Sequence, residues 1–147
     1  MKIYTLGYSG WDIGDVKAVM DRLGAVLVDV RMVPRPRWTP IWKAEALRTR
    51  FGDRYYWLRQ FGNVNYKGTV EQIKIADFPA GMKRLHEISG LPFEGGKNVI
   101  LMCGCRDVNV CHRKVVAEML AKEWTLEVEH LAPPAKAPAP GKELTLF

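Results

Sequence analysis

The run AVLVDV, Ala25–Val30, is almost continuously apolar, as befits a strand covered on both faces. Two comparable runs, KIYTL (Lys2–Leu6, stopped by Gly7) and NVILM (Asn98–Met102), have the same character. Between them the apolar spacing becomes helical. Val16, Val19, Met20 and Leu23 follow Asp12, a candidate N-cap, and stop at Gly24. Trp42–Phe51 also reads as helical, as does Phe78–Ile88, opened by Pro79. Cys111–Lys122 carries Val115, Val116, Met119 and Leu120 on one face. YYWL (Tyr55–Leu58) and the alternating TLEVEH (Thr125–His130) add strands, and Val70–Ile75 a short helical segment. Strands alternating with helices predict a single α/β domain over residues 1–131, with a mostly parallel central sheet flanked by helices. The remainder, 132–147, is Pro/Ala-rich and reads as a flexible or loosely docked tail. The prolines of VPRPRWTP (Val33–Pro40) exclude a helix or central strand there and predict a stiff extended loop. FGNVNYKGT (Phe61–Thr69) and Gly90–Gly96 read as further loops.

A chain of 147 residues, 48% of them hydrophobic, is enough for one packed core. No apolar run is long enough to span a bilayer, and MKIYTLGYSG has no signal-peptide core, so no membrane association and a cytoplasmic location are expected. Three cysteines is an odd number, which favours reduced thiols over a disulfide framework. The net charge of +6 suits an anionic partner such as nucleic acid, a nucleotide or a phosphorylated small molecule; it also suits plain solubility.

Parallel sheets bind ligands beyond the carboxyl ends of their strands. Three distinctive stretches fall there: Gly7-Tyr8-Ser9, Asp29-Val30-Arg31, and LMCGCRDVNVCHR (Leu101–Arg113), which holds every cysteine. Cys103 follows a strand and precedes a helix, so a thiol there, near Arg106 or Arg113, would have a lowered pKa, with His112 as acid, base or orienter. Cys103, Cys105, Cys111 and His112 also resemble a metal-ligand set. On a helix, however, the adjacent Cys111 and His112 would point apart. Cys103 and Cys111 could equally be small packed residues. His112, Arg113 and Lys114 put positive charge in the first turn of their own helix, against its dipole, which calls for an anion: a ligand or a carboxylate such as Asp29. Asp29 and Arg31 share a strand face, which also allows a local salt bridge. Arg35 and Arg37, spaced by prolines and followed by Trp38, form a basic-aromatic edge that could grip phosphates and stack a base. Trp38, Trp42, Tyr55, Tyr56 and Trp57 read as core, and His86 and His130 carry no partner signal.

The order of motifs resembles the family of the domain of unknown function DUF488. The matching stretches are TLGYS (Thr5–Ser9), VDVRMVPRPRWTP (Val28–Pro40), YYWLRQFG (Tyr55–Gly62), LMCGCRDVNVCHR and the terminal LTLF. The resemblance points to Asp29, Arg31, Pro34, Arg35, Arg37, Cys103, Cys111, His112 and Arg113. Tyr8 stands where the family has histidine, and Cys105 lies outside the family pattern. The resemblance implies a fold group and a pocket and names no reaction. ELTLF is further similar to the peptide by which bacterial DNA-processing proteins dock on the sliding clamp, with Leu144, Leu146 and Phe147 as contacts and Glu143 in place of glutamine.

The leading expectation is an enzyme acting on a phosphate-bearing or nucleic-acid-related substrate. Cys103, His112 and Asp29 would be catalytic, and Arg31, Arg35, Arg37, Arg113 and Ser9 would hold the anion. No cofactor and no bound metal are expected in that reading. The alternatives are a non-enzymatic nucleic-acid-associated module recruited through its tail, and a Cys/His metal-binding protein.

Overall fold

The computed structural model describes residues 1–135; residues 136–147, and with them the clamp-like Leu144, Leu146 and Phe147, lie outside the described residues. Among those described, five strands form one all-parallel sheet: β1 (Ile3–Gly7), β2 (Ala25–Asp29), β3 (Tyr55–Trp57), β4 (Asn98–Cys103) and β5 (Val128–Leu131), in the order β3-β2-β4-β1-β5. β1 and β2 are buried at every position, and β4 at all but its first residue. That burial accounts for their unbroken apolar runs. The edge strands β3 and β5 are only partly covered and carry more polar residues.

Four helices connect them: α1 (Ile13–Leu23), α2 (Ala44–Phe51), α3 (Phe78–Ser89) and α4 (His112–Trp124). From β1 through β2 to β3 the chain moves toward one edge of the sheet, and then it turns back through β4 to β5. Crossovers of one constant hand therefore place α1 and α2 on one face and α3 and α4 on the other. The packing agrees. Val16, Val19, Met20, Leu47 and Phe51 pack with Leu6, Leu27, Ile100 and Met102. Leu85, Val116, Ala117 and Leu120 pack with Ile3, Val26, Val28, Val99 and Leu101. Each of these Val, Leu, Ile, Met or Phe side chains, once buried, contributes about 1.5–3 kcal/mol of transfer free energy.

Local chemistry explains most element ends. Asp12 occupies the N-cap of α1, but its carbonyl, not its side chain, accepts from Asp15 and Val16. Gly24 closes the helix in the left-handed region at φ 58°. The Trp42–Phe51 helix is broken into a 3-10 turn at Pro40–Trp42 and α2 from Ala44. Val70–Ile75 contains only a 3-10 turn, Val70–Gln72, boxed by Thr69 and Gln72, after which Ile75 pairs antiparallel with Asn63. The last strand begins later than Thr125, because Thr125 caps α4 in the left-handed region. On α4 the buried stripe is Arg113, Val116, Ala117 and Leu120, with Met119 exposed, so the helix is rotated from the apolar face its sequence offers. The aromatic group divides: Trp42 and Tyr55 are core, whereas Trp38 is 83% exposed.

β4 lies between two strands whose following segments leave toward the α1/α2 face, while its own leaves toward α4. The loops part at the carboxyl end of β4, and Cys103 is its last residue.

Candidate active site

Cys103 stands opposite Gly7 in the register between β1 and β4. The next seven residues form a turn and a 3-10 segment, Val108–Val110, whose Asp107 side chain caps Asn109. Cys111 then caps α4 in an extended conformation, φ −107° and ψ 137°. This corrects the expectation that Cys111 and His112 diverge. Cys111 is not yet helical, so both side chains turn toward β4. The Sγ atoms of Cys103 and Cys111 and a ring nitrogen of His112 all lie within 4.8 Å of one another, and all three residues are buried.

His112 has a fixed tautomer. Its Nε2 lies 2.6 Å from the carbonyl oxygen of Val30, which can only accept, so Nε2 carries the hydrogen. In the neutral ring Nδ1 then carries the lone pair, and it lies 3.7 Å from Cys103 Sγ. The strand end of β2 thus orients the imidazole, and the ring addresses the sulfurs.

The thiol nearest the helix start is Cys111, not Cys103. Contacts from the thiols of Cys103 and Cys105, and a backbone N–H of α4, hold Cys111 far below the ordinary thiol range. At Cys103 the favourable contact from Cys105 is outweighed by Cys111 and by burial, and its pKa is pushed up to about 12. Cys105 is raised too, first by Cys103, then by Cys111 and burial. The lowered pKa expected of Cys103 therefore belongs to Cys111.

The cluster forms part of the wall of a cavity of about 480 Å³, to which Cys103, Cys105, His112, Tyr8, Arg31 and Asn63 contribute. Arg31 is 6% exposed. Its Nε and Nη2 donate to the two carboxylate oxygens of Asp29 at 2.8 and 2.6 Å, and Nη2 also donates to the carbonyl of Trp42 at 2.6 Å. The Tyr8 ring lies against the guanidinium, 5.3 Å from it, and stacks in turn on Trp42 at 4.6 Å. Burial works against the charge on Arg31, and the Asp29 carboxylate more than offsets it, so the guanidinium pKa is raised. One donor, Nη1, is buried with no hydrogen-bond partner among the described residues.

Other expected site residues stand elsewhere. Asp29 is fully buried under Arg31 and Tyr55, bonded to both, and is not among the residues of the cavity wall. Arg113 is buried, donating to the carbonyl of Cys105 at 2.6 Å and to Thr5 Oγ1 at 3.3 Å. The charge at the start of α4 is thus received by a backbone carbonyl and a hydroxyl, with Lys114 paired to Glu118. Arg113 does not line the cavity, nor do Arg35, Arg37 and Ser9, which are exposed. Sequence reasoning did not anticipate Tyr8 as the cover of Arg31, or Asn63 and the Tyr66–Ile73 segment as the cavity's outer wall. Tyr8 belonged to a stretch already marked at the end of β1, whereas the only signal for Asn63 and Tyr66–Ile73 was a Gly/Asn-rich stretch of the kind any loop has.

His130 joins this network through a 2.6 Å contact between its Nδ1 and Thr5 Oγ1. Burial first, then the charge of Arg113, lowers its pKa below the ordinary 6.5. A histidine lowered in the fold binds more protons when unfolded, so its stabilising contribution is complete above pH 6.5 and is lost as pH falls through the folded value. Urea titrations at pH 7.5 and 5.5 are expected to show a larger loss of stability in the native chain than in His130→Gln. Equal losses would show that His130 is not the group responsible.

No helix among the described residues is long and apolar enough to cross a membrane. No curated protein and no solved structure matches the chain. The profile of one family, described as a domain of unknown function, DUF488, matches residues 18–120, a span that takes in Asp29, Arg31, the three cysteines and His112. Since that match covers well over half of the sequence, the chain belongs to the DUF488 family.

Proposed function

We propose that the protein is an enzyme that takes a small phosphate-bearing anion, nucleotide-like or otherwise, into the cavity beside Cys103 and His112. One observation carries this reading. The buried Arg31 Nη1 has no partner, on a guanidinium that lines the same cavity as the thiol–imidazole pair. A buried unpaired donor costs about 1–3 kcal/mol. An anionic oxygen removes that cost and gains a charge-assisted bond. Asp29 and Trp42 fix the guanidinium, so the anion meets a preorganised donor. Cys103, the thiol on the cavity wall beside His112, attacks the phosphorus despite its raised pKa because His112 Nδ1 takes its proton as the S–P bond forms. The ester P–O bond breaks, the proton passes to the leaving oxygen, and water then cleaves the S–P bond to release phosphate and restore the thiol.

Calorimetric titration with inorganic phosphate and nucleoside monophosphates, paired with phosphate release from a chromogenic phosphomonoester, tests this. Saturable binding is expected that weakens at least tenfold in Arg31→Lys. Turnover should fall about 100-fold or more in Cys103→Ser and His112→Asn. A folded protein showing neither binding nor turnover would overturn the reading.

A second reading has its own observation. Trp38 is exposed with Arg37 stacked at 5.0 Å, beside exposed Arg35, on the proline-stiffened loop. That edge suits a single-stranded nucleic acid, with base stacking and phosphate contacts. Steeply salt-dependent oligonucleotide binding, reduced in Trp38→Ala and absent from any phosphoester turnover, would favour it.

A further inference from the structure

The cysteine cluster has a property that thiol chemistry does not use. A tetrahedral zinc ion with sulfur at about 2.3 Å and nitrogen at about 2.0–2.1 Å sets its ligand atoms roughly 3.5–3.8 Å apart. Cys103 Sγ and His112 Nδ1 are already 3.7 Å apart, and no distance within the trio of Cys103, Cys111 and His112 exceeds 4.8 Å. The largest adjustment needed is about 1 Å, within reach of a cysteine side-chain rotation. His112 is prepared for ligation in the way metal-binding histidines are, with one ring N–H held by a backbone carbonyl and the other nitrogen's lone pair facing the sulfurs. Cys105 lies outside the trio, on the cavity wall.

We infer that Cys103, Cys111 and His112 together bind one divalent ion of the zinc class, leaving its fourth position toward the cavity. The donor set, two thiolates and an imidazole, selects zinc over calcium or magnesium, which take oxygen ligands. On binding, both cysteines coordinate as thiolates, any thiol proton passing to solvent, and His112 donates its Nδ1 lone pair, so no redox change occurs. The inference rests on the proposed thiol chemistry in one respect. Cys103 and His112 are the proposed reacting pair, so a bound ion occupies both and silences the site. Zinc is therefore a reversible inhibitor of the apo enzyme.

The test uses the full chain, prepared without an affinity tag and with its metal removed by chelator. Zinc and cobalt(II) are then added against a competing chelator, with metal content measured by mass spectrometry. One ion per chain is expected, and the cobalt form should show the ligand-field bands of a four-coordinate centre and a thiolate charge-transfer band. Cys103→Ser and Cys111→Ser should each weaken binding about 100-fold or more, and Cys105→Ser only a few-fold. Zinc should also raise the thermal midpoint of the native chain, and not of Cys103→Ser, a readout that separates lost ligation from lost folding. Substoichiometric binding, or equal affinity in native and Cys103→Ser protein, would overturn the site. Phosphate binding through Arg31 and turnover by metal-free protein are read separately. If zinc fails to bind while turnover persists, only the metal site falls. If zinc binds and the apo protein neither takes phosphate nor turns over, the metal site stands and the enzyme reading falls.

Discussion

Asp29→Ala is expected to destabilise the fold by about 3–5 kcal/mol, the cost of leaving one partner of a buried ion pair unpaired. The Asp29 carboxylate accepts from four donors: the backbone N–H, Nε and Nη2 of Arg31, and the hydroxyl of Tyr55 at 2.5 Å. Alanine removes this acceptor from all four, and Arg31 Nη2 keeps another in the Trp42 carbonyl. The tyrosine hydroxyl and Arg31 Nε then have no acceptor, and a second orphaned donor joins Nη1 on a charged group that cannot reach bulk water. The carboxylate also holds the Tyr55 proton in place, since burial first, and then the Asp29 charge, raises that phenol's pKa. Replacing the pair together, Asp29→Leu with Arg31→Met, should cost less than either single change, because no buried charge remains. Urea unfolding of the four proteins gives the cycle directly. A single-variant cost below about 1 kcal/mol would show that Arg31 escapes to solvent when its partner is removed. Phosphate binding should disappear in the double variant whatever its stability, which separates the fold's need for this pair from the ligand's.

The sequence made the order of elements plain, because three nearly continuous apolar runs are what buried parallel strands require, and helical spacing filled the gaps. It also pointed to the carboxyl ends of those strands, where the Cys/His cluster and the cavity lie, since in such sheets the connecting loops converge there. What it hid was orientation. Nothing in CHR states that Cys111 stays extended while His112 begins the helix, and that single change of backbone conformation turns two side chains expected to diverge into neighbours. Arginine was harder still. Arg31 and Arg113 look alike in sequence, yet one lines the cavity with a free donor while the other is occupied by Thr5 and the Cys105 carbonyl. Partner choice among buried donors is decided by tertiary geometry, and no local pattern encodes it. Arg35 and Arg37 belong to the stiff loop the prolines predicted, but that stiffness carries them to the surface, outside the cavity wall.

Gly7→Ala should damage the site and the fold together, by about 3 kcal/mol, the upper end of ordinary overpacking costs. A Cβ at Gly7 would lie 1.7 Å from the carbonyl oxygen of Cys105 and 2.7 Å from Arg113 Nη1. Neither can yield cheaply. The carbonyl is backbone, and Arg113 Nη1 holds it at 2.6 Å from a buried guanidinium that is also bonded to Thr5. Gly7 itself is fixed, as the register partner of Cys103, and the next residue's N–H donates to the Cys103 carbonyl at 2.9 Å. The Gly104–Cys105 turn must therefore move outward, carrying Cys105 with it and pulling on Cys103. The expected signature is a lower unfolding midpoint, faster alkylation of Cys105 and weaker zinc binding in the same variant. Gly14→Ala, in the first turn of α1 with nothing within 4 Å of the added carbon, is the matched control. It should stabilise the protein by about 0.5–1 kcal/mol through helix propensity alone, with the cysteine chemistry unchanged. Were both alanines to behave alike, the close approach of the Cys105 carbonyl to β1 would not be a feature of the folded protein.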